Sequence, residues 1–448
     1  MTLSDKINEF ILSLPTGVIY LTVILGAGIF LTFKLRFLQF RYFFRAFKDV
    51  FKVKSKGDKS SLSPFQAATT ALAGTLGTGN IIGVATAITS GGPGAVFWMC
   101  VSSFFGMATK FSEILLSLVF RTTNKKGERV GGPMYYIQKG LNSKFLAVLF
   151  SFGCIFASFG VGNISQANAV SDAMYSVFGI EKWVVGIFIM LIVGLILIGG
   201  VKRIGAVTEM LVPFMGLTYI IGAFVAIIIN YKNIPESISL IFTDAFSQKA
   251  LSGGVLGFLT RDAVRFGISR GVFSNEAGMG SSPIAHGSAD IDNEVKQSLW
   301  GIIEVFLDTV LMCTVTALVI LTSGEYKGVG ASIVTNAFSA SLGNSAGVFI
   351  AISTFFFAIA GMIGWAYYGE KAIEFITQKE KWITVYRVCF VISILIGAVT
   401  AIDLVWNLSD LLNLIMALPN TIALIVLCKI VSDKSNDYFE KSPKNSKK

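Results

Sequence analysis

Charge is the first thing this sequence lacks. Only 14% of its 448 residues are Asp, Glu, Lys or Arg, against about 25% in an ordinary soluble domain. With 53% hydrophobic residues, that deficit excludes a chain that folds around one core in water. Histidine is nearly missing too. His286 stands alone, so neither a His-built metal site nor a Ser-His-Asp triad is available. Cys100, Cys154, Cys313, Cys389 and Cys428 all lie within apolar segments, and none forms a C-x-x-C pair. They read as small hydrophobes rather than as disulfides or metal ligands. No Walker A sequence, H-E-x-x-H, G-x-S-x-G or dinucleotide fingerprint occurs. The chain therefore reads as neither an enzyme nor an ATP-driven machine, with no cofactor. Its net charge of +10 would suit nucleic acid, but the Lys and Arg sit between apolar blocks or at the tail, which argues against that partner. A cleaved signal peptide is not expected, because residues 1–14 are amphipathic and the first apolar run lacks a small-residue cleavage site.

What the chain has instead is apolar blocks of spanning length, roughly 20 residues each. Eleven candidates fall near 16–34, 65–90, 94–119, 145–170, 183–200, 205–230, 262–286, 298–322, 343–367, 382–401 and 408–430. The fold class is thus all-α integral membrane, in the bilayer of a cell membrane. Basic residues orient it. Lys34, Arg36, Arg41, Arg45, Lys48, Lys52, Lys54, Lys56 and Lys59 share one loop. If that loop is cytoplasmic, alternation leaves only Lys6, Lys182, Lys232, Lys249, Arg261 and Lys327 outside. Eleven spans with an external N-terminus and a cytoplasmic C-terminus follow. Setting the first span aside leaves five plus five, an odd half-count that implies inverted repeats. The units are then 1–64 (extra helix and basic loop), 65–230 (first repeat), 231–260 (external region), 261–432 (second repeat) and 433–448, a charged tail expected to be disordered.

Two segments break the apolar rule, each leading one repeat. Ala73-Gly-Thr-Leu-Gly-Thr-Gly-Asn80 places three glycines among Thr75, Thr78 and Asn80. Unpaired backbone in hydrocarbon costs several kcal/mol per group, so a broken helix there needs a polar occupant. The N-terminus of a half-helix attracts a carboxylate, and freed carbonyls hold a cation. Close packing through small residues is the competing explanation. The second segment is Arg270-Gly-Val-Phe-Ser-Asn-Glu-Ala-Gly-Met-Gly280. Glu276 is costly within a membrane and marks either a site or a buried pair with Arg270 or Arg265. Gln166 is interhelical glue or a ligand contact, and Trp365 an interfacial anchor or a pocket wall. Lys110 and Glu113 fall near a helix end, where they would pair or snorkel. Asp308 is central and has no evident role. A channel would show rings of carbonyls or charges. One asymmetric site instead suits a transporter driven by an ion gradient.

These segments carry a resemblance. Gly77-Thr-Gly-Asn-Ile-Ile-Gly-Val-Ala-Thr86, Gly91-Gly-Pro-Gly-Ala95, Phe104-Phe-Gly-Met-Ala-Thr-Lys110, Gly131-Gly-Pro-Met-Tyr135, Gly271-Val-Phe-Ser-Asn-Glu-Ala-Gly278 and Gly364-Trp-Ala-Tyr-Tyr-Gly-Glu370 resemble the alanine or glycine:cation symporter family, in order along nearly the whole chain. The resemblance implies a leucine-transporter-like fold of ten core helices, here preceded by one. It implies import of a small neutral amino acid with Na⁺ by a monomer working through alternating access. The substrate would be bound by Thr75, Gly79, Gln166, Phe273, Ser274, Asn275, Glu276, Gly361 and Trp365, and the cation by Thr75, Thr78, Asn80 and Ala360. One departure stands out. Alanine-transporting members resemble Ser-Thr where this chain has Ala360-Gly361. Loss of two hydroxyls implies either a pocket for a larger neutral side chain, such as that of glutamine or methionine, or a weakened Na⁺ site with coupling left to carbonyls alone or to protons.

Overall fold

Apolar side chains that point outward decide which medium this molecule needs. Phe188, Leu191, Leu195 and Ile198 on one helix, and Met210, Phe214, Leu217 and Ile221 on the next, are exposed. In water each would forgo about 1.5–3 kcal/mol of burial, so these faces call for hydrocarbon. The structure, a computed structural model, describes residues 16–55, 57, 61–246, 262–325, 331–400 and 403–441. Lys6, Lys56, Lys59, Lys249, Arg261 and Lys327, the loop residues 247–260 and the last seven of the tail lie outside the described residues.

The helices are α1 (Thr16–Lys34), α2 (Phe43–Val50), α3 (Pro64–Thr75), α4 (Ile82–Gly91), α5 (Ala95–Val119), α6 (Pro133–Gly140), α7 (Lys144–Phe178), α8 (Lys182–Ile198), α9 (Gly200–Ile229), α10 (Ile234–Ala245), α11 (Asp262–Asn275), α12 (Ser282–Gly287), α13 (Glu294–Ser323), α14 (Ala331–Leu342), α15 (Ala346–Thr377), α16 (Glu380–Val399), α17 (Asp403–Val426) and α18 (Cys428–Lys441). Helix lies on each of the eleven expected segments. By length and hydropathy, six continuous helices among the described residues suffice to cross a bilayer: α5, α7, α9, α13, α15 and α16. A seventh is reached if α17 and α18, bent by 58°, form one span. The other segments are short or interrupted.

Three features depart from the sequence reading. A two-stranded antiparallel ribbon, Thr122–Thr123 with Arg129–Val130, interrupts the all-α pattern. Helix α10 occupies part of the expected external loop. The tail expected to be disordered from residue 433 is helical to 441. Its aromatic residues explain the order: Phe439 stacks on Tyr42 with ring centroids 3.6 Å apart, and Arg45 lies 5.2 Å from the Phe439 ring.

Burial sorts the helices. The apolar window of α5 is 78% buried and that of α9 only 33%, which makes α5 an inner post and α9 a lipid-facing wall. α5 packs along α11, and α3 packs against α15 and α9. The α3–α15 contact is a backbone one. A Cβ on Gly364 would lie 2.7 Å from the Gly74 Cα, so only glycine lets these helices meet so closely. α7 and α13 carry π-helical turns at Gly160–Ile164 and Phe306–Cys313, a distortion that frequently marks functional positions.

Candidate functional site

The first break is held open from both ends. Ser63 caps α3 in a capping box with Gln66, and Pro64 occupies its first turn, a strong start signal. The helix then stops at Leu76, because Gly77 adopts an extended backbone and a single 3₁₀ turn, Thr78–Asn80, precedes α4. One backbone donor freed there finds a side chain: the Thr78 N–H donates to Gln166 Oε1 at 3.2 Å. Gln166 in turn donates to the Val161 carbonyl at 3.3 Å, within the π turn of α7.

The second break begins at Glu276, which takes a left-handed φ of 56°, and continues through Gly278 and Gly280 at 91° and 79°. Glycine suits two of these positions and Glu276 is strained at the third. Neighbouring elements hold the loop. Lys110 of α5 donates to the Asn275 carbonyl at 2.6 Å. Asn420 of α17 donates to the Gly278 carbonyl at 2.9 Å and to Glu113 at 2.6 Å, and accepts from Tyr136. The Ser281 hydroxyl donates to the Glu276 carboxylate.

The two breaks meet. The Asn80 amide nitrogen lies 3.0 Å from Ser274 Oγ, 2.8 Å from Asp308 Oδ1 and 3.1 Å from the Asp308 carbonyl. Thr309 donates to Asp308 Oδ2 at 2.7 Å and accepts from Asn275 at 3.1 Å. Asn80, Ser274, Asn275, Asp308 and Thr309 are all buried. Among the described residues Asp308 has no ion pair, and Asn80 Oδ1 has no hydrogen-bond partner. A buried carboxylate on α13, Asp308, and an idle amide oxygen at the first break, Asn80 Oδ1, supply hard oxygen donors suited to a small cation. No cluster of three or more His, Cys, Asp or Glu suited to a resident metal occurs among the described residues.

The remaining expected residues divide. Gly79 faces the second break: a Cβ there would sit 3.7 Å from the Phe273 ring and 3.9 Å from the Ser274 Cα. A Cβ on Gly361 would sit 3.5 Å from Gln166 Cδ, so α15 reaches the same amide that holds the first break. Trp365 is fully buried, edge-on to Tyr368 with centroids 5.7 Å apart. That removes the interfacial-anchor alternative. Thr75 turns its hydroxyl back to the Leu72 carbonyl at 3.2 Å. Ala360 is buried in an apolar cluster with Leu72, Ala73 and Leu76 and has no side-chain oxygen.

Corrections follow from the same geometry. Of the two expectations for Lys110 the structure keeps pairing and removes snorkelling: it is fully buried against the second break, 3.9 Å from Glu304. Glu276 pairs with neither arginine. Arg270 lies 5.9 Å from the Phe273 ring and Arg265 5.6 Å from the Phe266 ring. The residues that sequence reasoning left without a role are Asp308 and Thr309. The only available signal was an acidic residue at the middle of an apolar run.

A profile of the sodium:alanine symporter family matches residues 1–448. The chain belongs to that family. It is 41% identical to the sodium/alanine symporter AgcS of Methanococcus maripaludis, over 98% of this chain and 97% of the relative. It is 38% identical to a protein of Bacillus subtilis described as a probable sodium/glutamine symporter, GlnT, over 97% and 91%. Among solved structures, the transporter MhsT bound to L-phenylalanine superposes with a TM-score of 0.60 at 14% identity, covering 83% of this chain and 90% of that one. The fold is therefore that of leucine-transporter-like transporters. The chain is a multi-pass membrane protein of a sodium-coupled amino-acid symporter family.

Proposed function

We propose that this chain imports a neutral amino acid with Na⁺ by alternating access, and that its cargo includes side chains larger than that of alanine. The single observation that carries this is the meeting of the two broken helices. The Ser274 and Asp308 oxygens gather on the Asn80 amide at the first break, and Gln166, which Gly361 adjoins, holds the Thr78 N–H of the same break. Na⁺ is assigned to Asn80, Ser274 and Asp308. The substrate lies beside it, against Gly79, Gln166, Phe273, Ser274, Asn275, Gly361 and Trp365, with Glu276 shaping the loop. Thr75 and Thr78 serve this site through the backbone near the break, and Ala360 plays no part in holding the cation.

This assignment answers the question raised by Ala360-Gly361. Coupling does not depend on hydroxyls at those positions, because Asp308 supplies a full charge elsewhere. Gly361 then acts on the substrate side, where the missing side chain leaves room beside Gln166. Similarity to a relative described as a probable sodium/glutamine symporter supports the larger cargo. The proposed architecture is eleven crossings, one helix plus two inverted repeats (65–230 and 261–432), with the N-terminus outside, the C-terminus cytoplasmic and a monomeric transport unit.

The test is radiolabelled uptake into proteoliposomes with a panel of competing amino acids. Competition by glutamine or methionine at concentrations near those at which alanine competes supports the reading. Competition by glycine and alanine alone overturns the enlarged pocket. Uptake unchanged when K⁺ replaces Na⁺ overturns Na⁺ coupling and favours protons.

A further inference from the structure

The chain's one histidine lies outside the proposed substrate and cation sites, and both of its ring nitrogens have hydrogen-bond partners. His286 is fully buried near the end of α12. Its Nε2 lies 2.6 Å from Glu304 Oε1. Glu304 Oε2 accepts from Ser282 at 3.0 Å and lies 3.9 Å from Lys110 Nζ. On the other edge of the ring, Nδ1 lies 3.0 Å from Gln297 Nε2, and the same nitrogen is 2.9 Å from the Pro64 carbonyl oxygen. Pro64 opens α3, the helix that ends at the first break.

Hydrogen-bond chemistry assigns the proton. The Pro64 carbonyl only accepts, so the Gln297 atom facing it is the NH₂ group and not the amide oxygen. Its second hydrogen points at His286 Nδ1, which must therefore be a bare acceptor. The ring proton sits on Nε2 and is donated to Glu304. The imidazole is thus neutral, and Lys110 balances the Glu304 charge. A second proton placed on Nδ1 would oppose the Gln297 N–H. Turning the amide over does not help, because its oxygen would then face the Pro64 carbonyl oxygen. The link from α13 to Pro64 must open for the proton to bind.

We infer that His286 is a proton-binding site whose occupation releases Gln297 from Pro64 and so loosens the start of α3 from the α12–α13 pair. Histidine as a residue type changes charge between about pH 8 and pH 5, and the Gln297–Pro64 link is the contact that a proton on Nδ1 opposes. α3 brings no charged side chain. α5 brings Lys110 and, one turn on, Glu113. α13 brings Glu304, and Lys296 beside Gln297 pairs with Asp292 at 3.5 Å. α15 brings the phenols of Tyr367 and Tyr368, and the strand at 129–130 brings Arg129, paired with Asp290 at 3.4 Å. Part of the junction is insensitive to pH. The Leu62 N–H bonds the Ser288 carbonyl at 3.1 Å, and the Asp290 N–H bonds the Leu62 carbonyl at 2.8 Å. Proton binding therefore weakens the junction by the equivalent of one hydrogen bond, about fivefold in its opening equilibrium, without abolishing it.

Hydrogen–deuterium exchange of the full chain in lipid nanodiscs tests this without reference to any cargo. Exchange across residues 64–75, corrected for the intrinsic effect of pH, should rise about fivefold in the parent protein between about pH 8 and pH 5. In His286→Gln, which retains a donor to Glu304 and does not titrate, it should stay flat. Gln297→Leu lacks the link and should exchange at the raised level at both pH values; it provides the reading if His286→Gln does not fold. A parent protein whose exchange is indifferent to pH, or a His286→Gln variant that rises as the parent does, overturns the inference.

Discussion

Replacing Asp308 by Asn tests the cation assignment, because it should move stability and Na⁺ affinity in opposite directions. Asp308 receives hydrogen bonds from Asn80 at 2.8 Å and Thr309 at 2.7 Å and has no ion pair among the described residues. Without Na⁺, a buried carboxylate in that state is costly even when hydrogen-bonded. Asn keeps the shape and removes the charge, so the Na⁺-free protein should melt at the same temperature or higher. With Na⁺ the sign reverses. Two unit charges about 4 Å apart attract by about 4 kcal/mol at an effective dielectric constant of about 20. The Asn carbonyl dipole would restore part of this; a net loss of about 2 kcal/mol corresponds to a rise of about thirtyfold in half-saturating Na⁺. The assay is amino-acid uptake against Na⁺ concentration in proteoliposomes, paired with melting in detergent in Na⁺ and in K⁺. The parent protein should gain melting temperature with Na⁺, as binding to the native state requires, and Asp308→Asn should not. Unchanged half-saturation, or a variant less stable in K⁺ than its parent, would refute the argument.

Other sites give sharper single outcomes. Gly79→Leu should abolish uptake while the protein still inserts and purifies, since the added side chain runs into Phe273 and Ser274; normal uptake would refute the pocket placement. Gly361→Ser should lower uptake of glutamine relative to alanine by about 10–200-fold, the range for a small volume change in a pocket, and an unchanged ratio would place residue 361 away from the substrate. Glu128 concerns stability at acid pH. Burial opposes its charge, but Lys371 at 3.1 Å, Asn124 and Lys126 outweigh burial and hold the carboxyl below its ordinary value. Its contribution is therefore complete above about pH 4.3, the ordinary glutamate value, and is lost as pH falls through the lower folded value. Glu128→Gln should melt lower than the parent near neutral pH, with the difference closing on acidification. A difference that persists at low pH would refute the ion-pair origin.

The two helix breaks were legible because their cause is local. Glycines beside Thr and Asn in an apolar run state, within eight residues, that a helix cannot continue there without a polar occupant. Gln166 and Trp365 needed the family resemblance, because a lone amide or indole in a span has several ordinary uses. Asp308 stayed without a role for a different reason. It is one acid in an apolar helix, and its meaning lies in Asn80, 228 positions away, which no local pattern connects to it. Of the two expectations for Lys110, pairing holds and snorkelling does not: it lies 3.9 Å from Glu304, and only the fold brings that carboxylate and the Asn275 carbonyl to it. The tail was misread because composition counted its charges and ignored Tyr438 and Phe439, which find Tyr42 and Arg45 across the chain. Local backbone rules thus locate where a membrane helix must break. Which charges face the break depends on packing between helices far apart in the sequence, and there the proposed cation assignment rests on Asp308 rather than on residues 360 and 361, which carry no hydroxyl.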